Sequence, residues 1–461
     1  MKRISILVVL SWLAFACSPE PTKQEAPVSS PQPELTHADW SMNATIYEAN
    51  IRQMTPEGTF KAFEAQLPAI KELGTDIIWL MPIHPIGKLN RKGGMGSYYS
   101  VQDYKKVNPE FGTLQDLKDL VNAAHDLEMK VIIDWVANHT AWDHPWTVDH
   151  PEWYTQDSAG NFVPPVPDWS DVIDLNYDQK EMRIAMIDAL TYWVKEADID
   201  GYRCDVAEMV PTDFWNDARA ALDQIKPVFM LAEAEKPELH EKAFDMSYGW
   251  ELMHIMNHVA KGDSSVASLN RYMKREYEKF DRNDFRMNFL TNHDENSWNG
   301  TIAERYGDAE KPFAVLAFTI HGMPLIYSGQ EYGNDKRLAF FEKDTPNFAH
   351  PDRFDFYKVL LQLNRSNKAL WNGKAGGEYL HLETSLPDKV LAYQRVNGET
   401  AVSVAINFTA EPVEAILQDK QALQGTDVFT GVEVDPSTDG RIYLPPFGYL
   451  VLENTTSNES I

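Results

Sequence analysis

Two cysteines in 461 residues cannot make a disulfide framework, so whatever holds this chain together is a core, and the chain is long enough to bury one. Basic runs are missing too. Lys and Arg number 42 against 69 Asp and Glu, a net charge of −27, and no stretch offers the cationic footprint that nucleic acid requires. The same balance disfavours an acidic substrate and leaves a neutral ligand as the better fit. There is no internal repeat, and no apolar run is long enough to span a bilayer as a mature helix. What is present is a globular composition, 43% hydrophobic and 24% charged, with 13 Trp and 19 Tyr. Most of those rings belong in a core, and a minority would offer flat faces to a ligand.

The first residues, MKRISILVVLSWLAFAC, place Lys2 and Arg3 before an apolar run from Ile4 to Phe15, with Cys17 directly after it. This is the pattern of a signal peptide. The cysteine resembles the bacterial lipoprotein signal, which implies export to the periplasm or cell surface, with membrane attachment only through a lipid on Cys17. Phe15 fits that pattern loosely and leaves plain cleavage nearby as the alternative. Residues 18–40, rich in Pro, Ser, Glu and Gln, read as a flexible tether.

Beyond the tether the hydrophobic pattern alternates between nearly continuous apolar runs and helical periodicity. The apolar runs are ATIYEANIRQ, TDIIWLMPIHPIG, KVIIDWVANH, DGYRCD, PVFMLAE, AFDMSYGW, RMNFLTNHD and GMPLIYSGQE. Strands buried on both faces and separated by helices imply a parallel sheet, and eight of them imply a closed (β/α)₈ barrel over residues 41–139 and 178–375. Residues 140–177, irregular and rich in Trp, Pro, His and Asp, form an inserted subdomain after strand 3. From 376 to 455 helical periodicity stops, and short strands between turn residues predict a C-terminal antiparallel β-sandwich.

Three of the apolar runs deliver acids. DGYRCD ends in Asp205, with Arg203 on the same strand face, where it would keep the aspartate ionised. KPVFMLAEAE brings Glu233, and RMNFLTNHDEN brings His293 and Asp294. Acids are seldom buried without a role, and the C-terminal strand ends of such a barrel carry its active sites. Singly, each acid also reads as a helix cap or loop residue. Cys204 points to the opposite face from Asp205 and reads as a small buried hydrophobe.

In order along the chain, DWVANH (Asp134 to His139), GYRCDVAE, LAEAE and FLTNHD resemble the four signature regions of the α-amylase family of glycoside hydrolases. The likeness covers nearly the whole chain after the tether. It implies a retaining hydrolase of α-1,4-linked glucans or maltooligosaccharides, with Asp205 as nucleophile, Glu233 as general acid/base and Asp294 as transition-state stabiliser. It further implies that Arg203, His139 and His293 bind the sugar in the cleavage subsite and that Tyr99, in SYYSVQDY, stacks on it. Glu233 must then be protonated at working pH, and the two carboxyl groups must lie about 5–5.5 Å apart.

Members of the family that carry calcium between barrel and insertion hold it with an asparagine and an aspartate, positions that Asn138 and Asp174 match. Oxygen donors suit that ion, although both side chains could instead bond local backbone. Glu208 and Met209 stand where many starch-cleaving members have Lys and His, which leaves subsites beyond the cleaved bond open. An α-1,6-active or neopullulanase-like enzyme or a 4-α-glucanotransferase would share these motifs. A glucan-binding surface lipoprotein without catalysis is the alternative of another class.

Overall fold

The computed structural model describes residues 35–455, apart from 421 and 436–438. The signal sequence, Cys17 and most of the tether lie outside the described residues. Eight parallel strands close into a barrel: Ile46–Ala49 (β1), Ile77–Leu80 (β2), Lys130–Trp135 (β3), Gly201–Cys204 (β4), Phe229–Ala232 (β5), Met246–Tyr248 (β6), Phe285–Asn288 (β7) and Met323–Tyr327 (β8). Neighbours in space are neighbours in sequence, with β8 returning to β1. These are the eight expected runs, trimmed at their ends. The trimming is largest at β2, and at β7 the chain leaves the ladder after Asn288 and runs through residues 289–292 into a helical turn that is π-helical over Glu295–Asn299.

The strands are buried on both faces because helices cover the outside. Thr113 caps the helix Leu114–Asp126 in a reciprocal capping box with Asp116. Leu117, Leu120, Val121 and Ala124 of that helix are buried in the core. The predicted helix between β1 and β2 is broken into Phe60–Glu64 and Leu67–Leu73, the second opening with Pro68 near its start and closing on Gly74 at φ 111. Among the described residues no helix is long and apolar enough to cross a membrane.

Residues 35–40, assigned to the tether by composition, are not loose. His37 is buried against the barrel floor, with Nδ1 2.8 Å from Asp245 and Nε2 2.9 Å from the Asn283 carbonyl. The insertion is pinned by a short antiparallel ribbon, His139–Ala141 against Val172–Asp174. The C-terminal region is an uneven sandwich. A six-stranded antiparallel sheet centred on Thr400–Asn407 packs Val390, Ala392, Ala405 and Leu452 against Val413, Ala415, Ile442 and Leu444 of a two-stranded sheet. It docks on the barrel through Phe408 on Phe313, ring centres 4.7 Å apart, and Tyr393 Oη against Thr319 Oγ1 at 2.5 Å.

Candidate active site

The ladder continues one residue past β4 and β5: Asp205 N donates to the Trp135 carbonyl at 2.9 Å, and Glu233 N to the Cys204 carbonyl at 3.0 Å. Both acids therefore sit at the C-terminal mouth, where backbone pairing fixes them. Pairing also sets Arg203 beside Asp134 on the neighbouring strand, so both side chains enter the barrel interior together. Arg203 is fully buried. Its Nη1 donates to Asp134 Oδ1 (2.8 Å) and Asp205 Oδ1 (3.0 Å), its Nε to Tyr248 Oη (3.1 Å), and its Nη2 lies 2.8 Å from Glu233 Oε2. One cation thus serves three carboxylates.

Arg203 favours the Asp205 anion, as expected, but does not set the balance alone. Burial raises the Asp205 pKa well above the usual carboxylate range, Arg203 opposes the rise, and Glu233, Asp134 and Asp294 add to it. Burial is the larger effect, and Arg203 offsets only part of it. Directly after Asp205 the backbone is strained: Val206 adopts φ 36, a left-handed conformation that costs a β-branched residue on the order of 1–3 kcal/mol. The strained turn aims the Val206 N–H at Glu233 Oε2, 2.8 Å away.

His293 is buried with Nδ1 2.5 Å from Glu48 Oε1, Nε2 2.8 Å from Tyr99 Oη and 3.4 Å from Asp294 Oδ2. Burial would lower its pKa, but the carboxylates of Asp294 and Glu48 outweigh that and raise it to about 9. As an imidazolium it donates to Glu48 and to Tyr99, whose hydroxyl donates in turn to Asp134 Oδ2 at 3.0 Å. His139 is the opposite case. It is buried beside Trp169, ring centres 5.5 Å apart, and burial lowers its pKa to about 4, so it is neutral.

A cavity of about 620 Å³ opens here, and Tyr99, His139, Asp205, Glu233, His293 and Asp294 all line it. Arg203 lies just beneath, gripping the acids. Of the sequence-predicted residues, the three acids, both histidines, Tyr99 and Arg203 therefore meet at one mouth, with Asp294 the most exposed of the acids. Asn138 and Asp174 stand apart at the ribbon, where Asp174 lies opposite His139 and accepts from Thr155 Oγ1 at 2.6 Å.

The model of the α-amylase catalytic domain matches residues 36–170 and 151–350, and that of the maltogenic amylase C-terminal domain matches residues 380–451. The chain belongs to the α-amylase family. Alpha-amylase MalA of Haloarcula japonica is 28% identical over 421 residues, 87% of this chain, but the chain spans only 60% of that relative's length. Among solved structures, a noncanonic maltogenic alpha-amylase of Thermotoga neapolitana is 30% identical with a TM-score of 0.81, matching 90% of this chain and 99% of that one. An alpha-amylase of Lactobacillus plantarum is 31% identical with a TM-score of 0.80, over 89% and 98% of the two chains.

Sequence reasoning missed two members of this site. Asp134, fully buried, collects Arg203, Trp79 Nε1 (3.2 Å) and Tyr99 Oη, and Glu48, also fully buried, holds His293. Both are lone acids on apolar barrel strands, the same signal that picked out Asp205. The aromatic wall of Trp169, Trp298, Phe340 and Phe341 that lines the cavity was missed as well, because three of its members sit in loops and Trp298 in a short π-helical turn, none with a periodic signal.

Proposed function

We propose that this chain hydrolyses α-glucosidic bonds of α-1,4-linked glucans or maltooligosaccharides with retention of configuration. The observation that carries this reading is the seating of Asp205 and Glu233, on adjacent strand ends, against the two terminal nitrogens of one buried guanidinium. Holding both acids on one guanidinium suits the narrow carboxyl spacing of double displacement better than the wider gap of an inverting pair. Glu233 gives its proton to the glycosidic oxygen while an Asp205 carboxylate oxygen bonds to the anomeric carbon, breaking the bond to the leaving sugar. Water then gives a proton to Glu233 and attacks the same carbon, which frees Asp205. Asp294 and the His293 imidazolium bear on the sugar hydroxyls, neutral His139 can donate or accept there, and Tyr99 offers its ring face.

Burial and the neighbouring Glu233 carboxyl both push the Asp205 pKa up, while Arg203 favours its carboxylate, the form that attacks the anomeric carbon. Product analysis on maltoheptaose, with the anomer followed by NMR, tests the reaction. Retained configuration is expected, and Asp205→Asn and Glu233→Gln should lower kcat by several orders of magnitude. Normal turnover by either variant would show that the residues are wrong. Pullulan and a glucosyl acceptor in the same assay separate hydrolysis of α-1,4 bonds from α-1,6 activity and from glucanotransfer.

Two further points belong to this proposal. The charged, apolar and cysteine sequence of residues 1–17 supports export and anchoring by a lipid on Cys17, which mass spectrometry of the membrane fraction would check. Asn138 and Asp174 offer oxygen donors to a calcium ion, and burial raises the Asp174 pKa with only Thr155 opposing it, the state of an acid a cation would relieve. Two side chains hold such an ion only with backbone carbonyls and water, since among the described residues no group of three or more acids, histidines or cysteines is arranged to hold a metal ion. A rise in Tm on adding calcium, absent in Asp174→Asn, is the expected result.

A further inference from the structure

The loops after β2 and β8 meet each other. Met95 N donates to the Phe341 carbonyl at 2.9 Å, and Gly94 N to Glu342 Oε1 at 2.6 Å. The approach is close enough to demand glycine. A Cβ on Gly93, which has φ +64, would stand 2.3 Å from Phe341 Cβ, and one on Gly94 2.5 Å from Glu342 Oε2.

Both loops are fastened from beneath by the turn that follows β1. Arg52, 1% exposed, donates to the Gly96 carbonyl (3.0 Å) and to the Met95 carbonyl (3.3 Å), while Gln53, also 1% exposed, donates to the Ala339 carbonyl at 2.8 Å. On its other flank the β2 loop is tied to the insertion: Lys92 Nζ donates to the Asp168 carbonyl at 2.5 Å and lies 3.3 Å from Asp171. Lys92, Asp168, Asp171 and Phe341 all line the catalytic cavity. Insertion, β2 loop and β8 loop therefore form one continuous band, and buried side chains hold it in place.

The band lies over β1, and in the closed strand order β1 is four strands from β5 in either direction. Glu233 rises from β5. An acid that protonates the leaving oxygen stands on the leaving-group side, so the band stands on the glycone side. We propose that it is a fixed wall ending the cleft there, so that the enzyme takes α-glucans by their non-reducing ends and releases short products of uniform length. Lys92 and Phe341 of the two loops and Asp168 and Asp171 of the insertion reach the same cavity of about 620 Å³ as Asp205 and Glu233, so the band borders the room in which the cleaved sugar sits. This inference rests on the hydrolase reading above and adds its chain-end preference.

Two maltoheptaose glycosides test it, one free at the non-reducing end and one capped there on O4 and O6. The wall predicts cleavage of the free substrate to one short product from the start of the reaction, with the capped one slower by at least an order of magnitude. The double variant Lys92→Ala/Glu342→Ala, which removes two exposed ties of the band, should narrow that difference and broaden the product range. A second variant, Gln53→Ala, loosens the β8 loop from below and should act in the same direction. Equal cleavage of both substrates by the natural protein, with mixed internal products, overturns the wall while leaving the hydrolase reading intact. Failure to cleave either substrate overturns both.

Discussion

Two of the buried charge clusters of the barrel, one at each end, differ in how completely they are satisfied. At the floor, Asp245 accepts from Arg219 Nη1 (2.9 Å) and Met230 N (2.8 Å) and meets His37 Nδ1 at 2.8 Å, while Asp200 has His125 Nε2 at 2.7 Å and Val131 N at 2.9 Å. Burial alone would raise both acids, but the cations and donors around them win, and both pKa values are lowered. At the mouth the balance is reversed. Asp205 is raised, Arg203 is split among three acids, and Glu48 Oε2 finds no hydrogen-bond partner. The floor is a set of closed contacts that stabilises the native state. The mouth holds charge in excess of its partners, which costs stability and keeps groups ready for a substrate.

The sharpest way to break this contrast is the same substitution at both ends. Asp245→Asn should lower stability by about 3 kcal/mol, because the buried Arg219 loses the charge that compensates it. The loss should shrink in acid. Asp245 has a depressed folded pKa, so its contribution is present above the unfolded value of about 3.9 and disappears as pH falls through the folded one. Urea melts at pH 7 and pH 3 would show it. Equal destabilisation at both pH values would mean that packing, not charge, holds the floor.

The mirror experiment at the mouth is smaller and opposite in sign. Asp205 has a raised folded pKa, so between the unfolded and folded values the native state binds the extra proton, and stability falls as pH rises through that window. Asp205→Asn should therefore gain about 1 kcal/mol at pH 7 while activity is lost, the usual trade between stability and function. A Tm below that of the natural protein would contradict the view that the mouth is under-satisfied.

The contrast also explains what could be read without a structure. Strand count and closure were legible because β1 to β8 are apolar on both faces, a pattern with few other readings. Asp205 and Glu233 were legible for the same reason: each interrupts such a run at its end. Asp134 and Glu48 interrupt theirs too, but what they do depends on Arg203 and His293, partners 69 and 245 residues away, and only strand pairing and closure reveal them. His37 was hidden differently. Its segment has the composition of a tether, and one long-range contact to Asp245 overrides that composition.

The finest probe of the mouth is Glu48, which touches His293 and lies away from the cavity lining. In Glu48→Gln the imidazole keeps Asp294 but loses its closer acid, so its pKa should fall from about 9 by roughly one unit, the scale of a single strong charge partner. The alkaline limb of kcat/KM should move down with it, while the acid limb stays in place. Stability supplies an independent reading. A histidine with a raised folded pKa stabilises fully below the unfolded value of about 6.5 and loses that contribution as pH rises through about 9. The Tm difference between natural protein and variant should thus be widest near pH 6 and close by pH 10. A uniform drop in rate with an unmoved alkaline limb would mean that Glu48 only fills space, and that the charge on His293 comes from Asp294 alone.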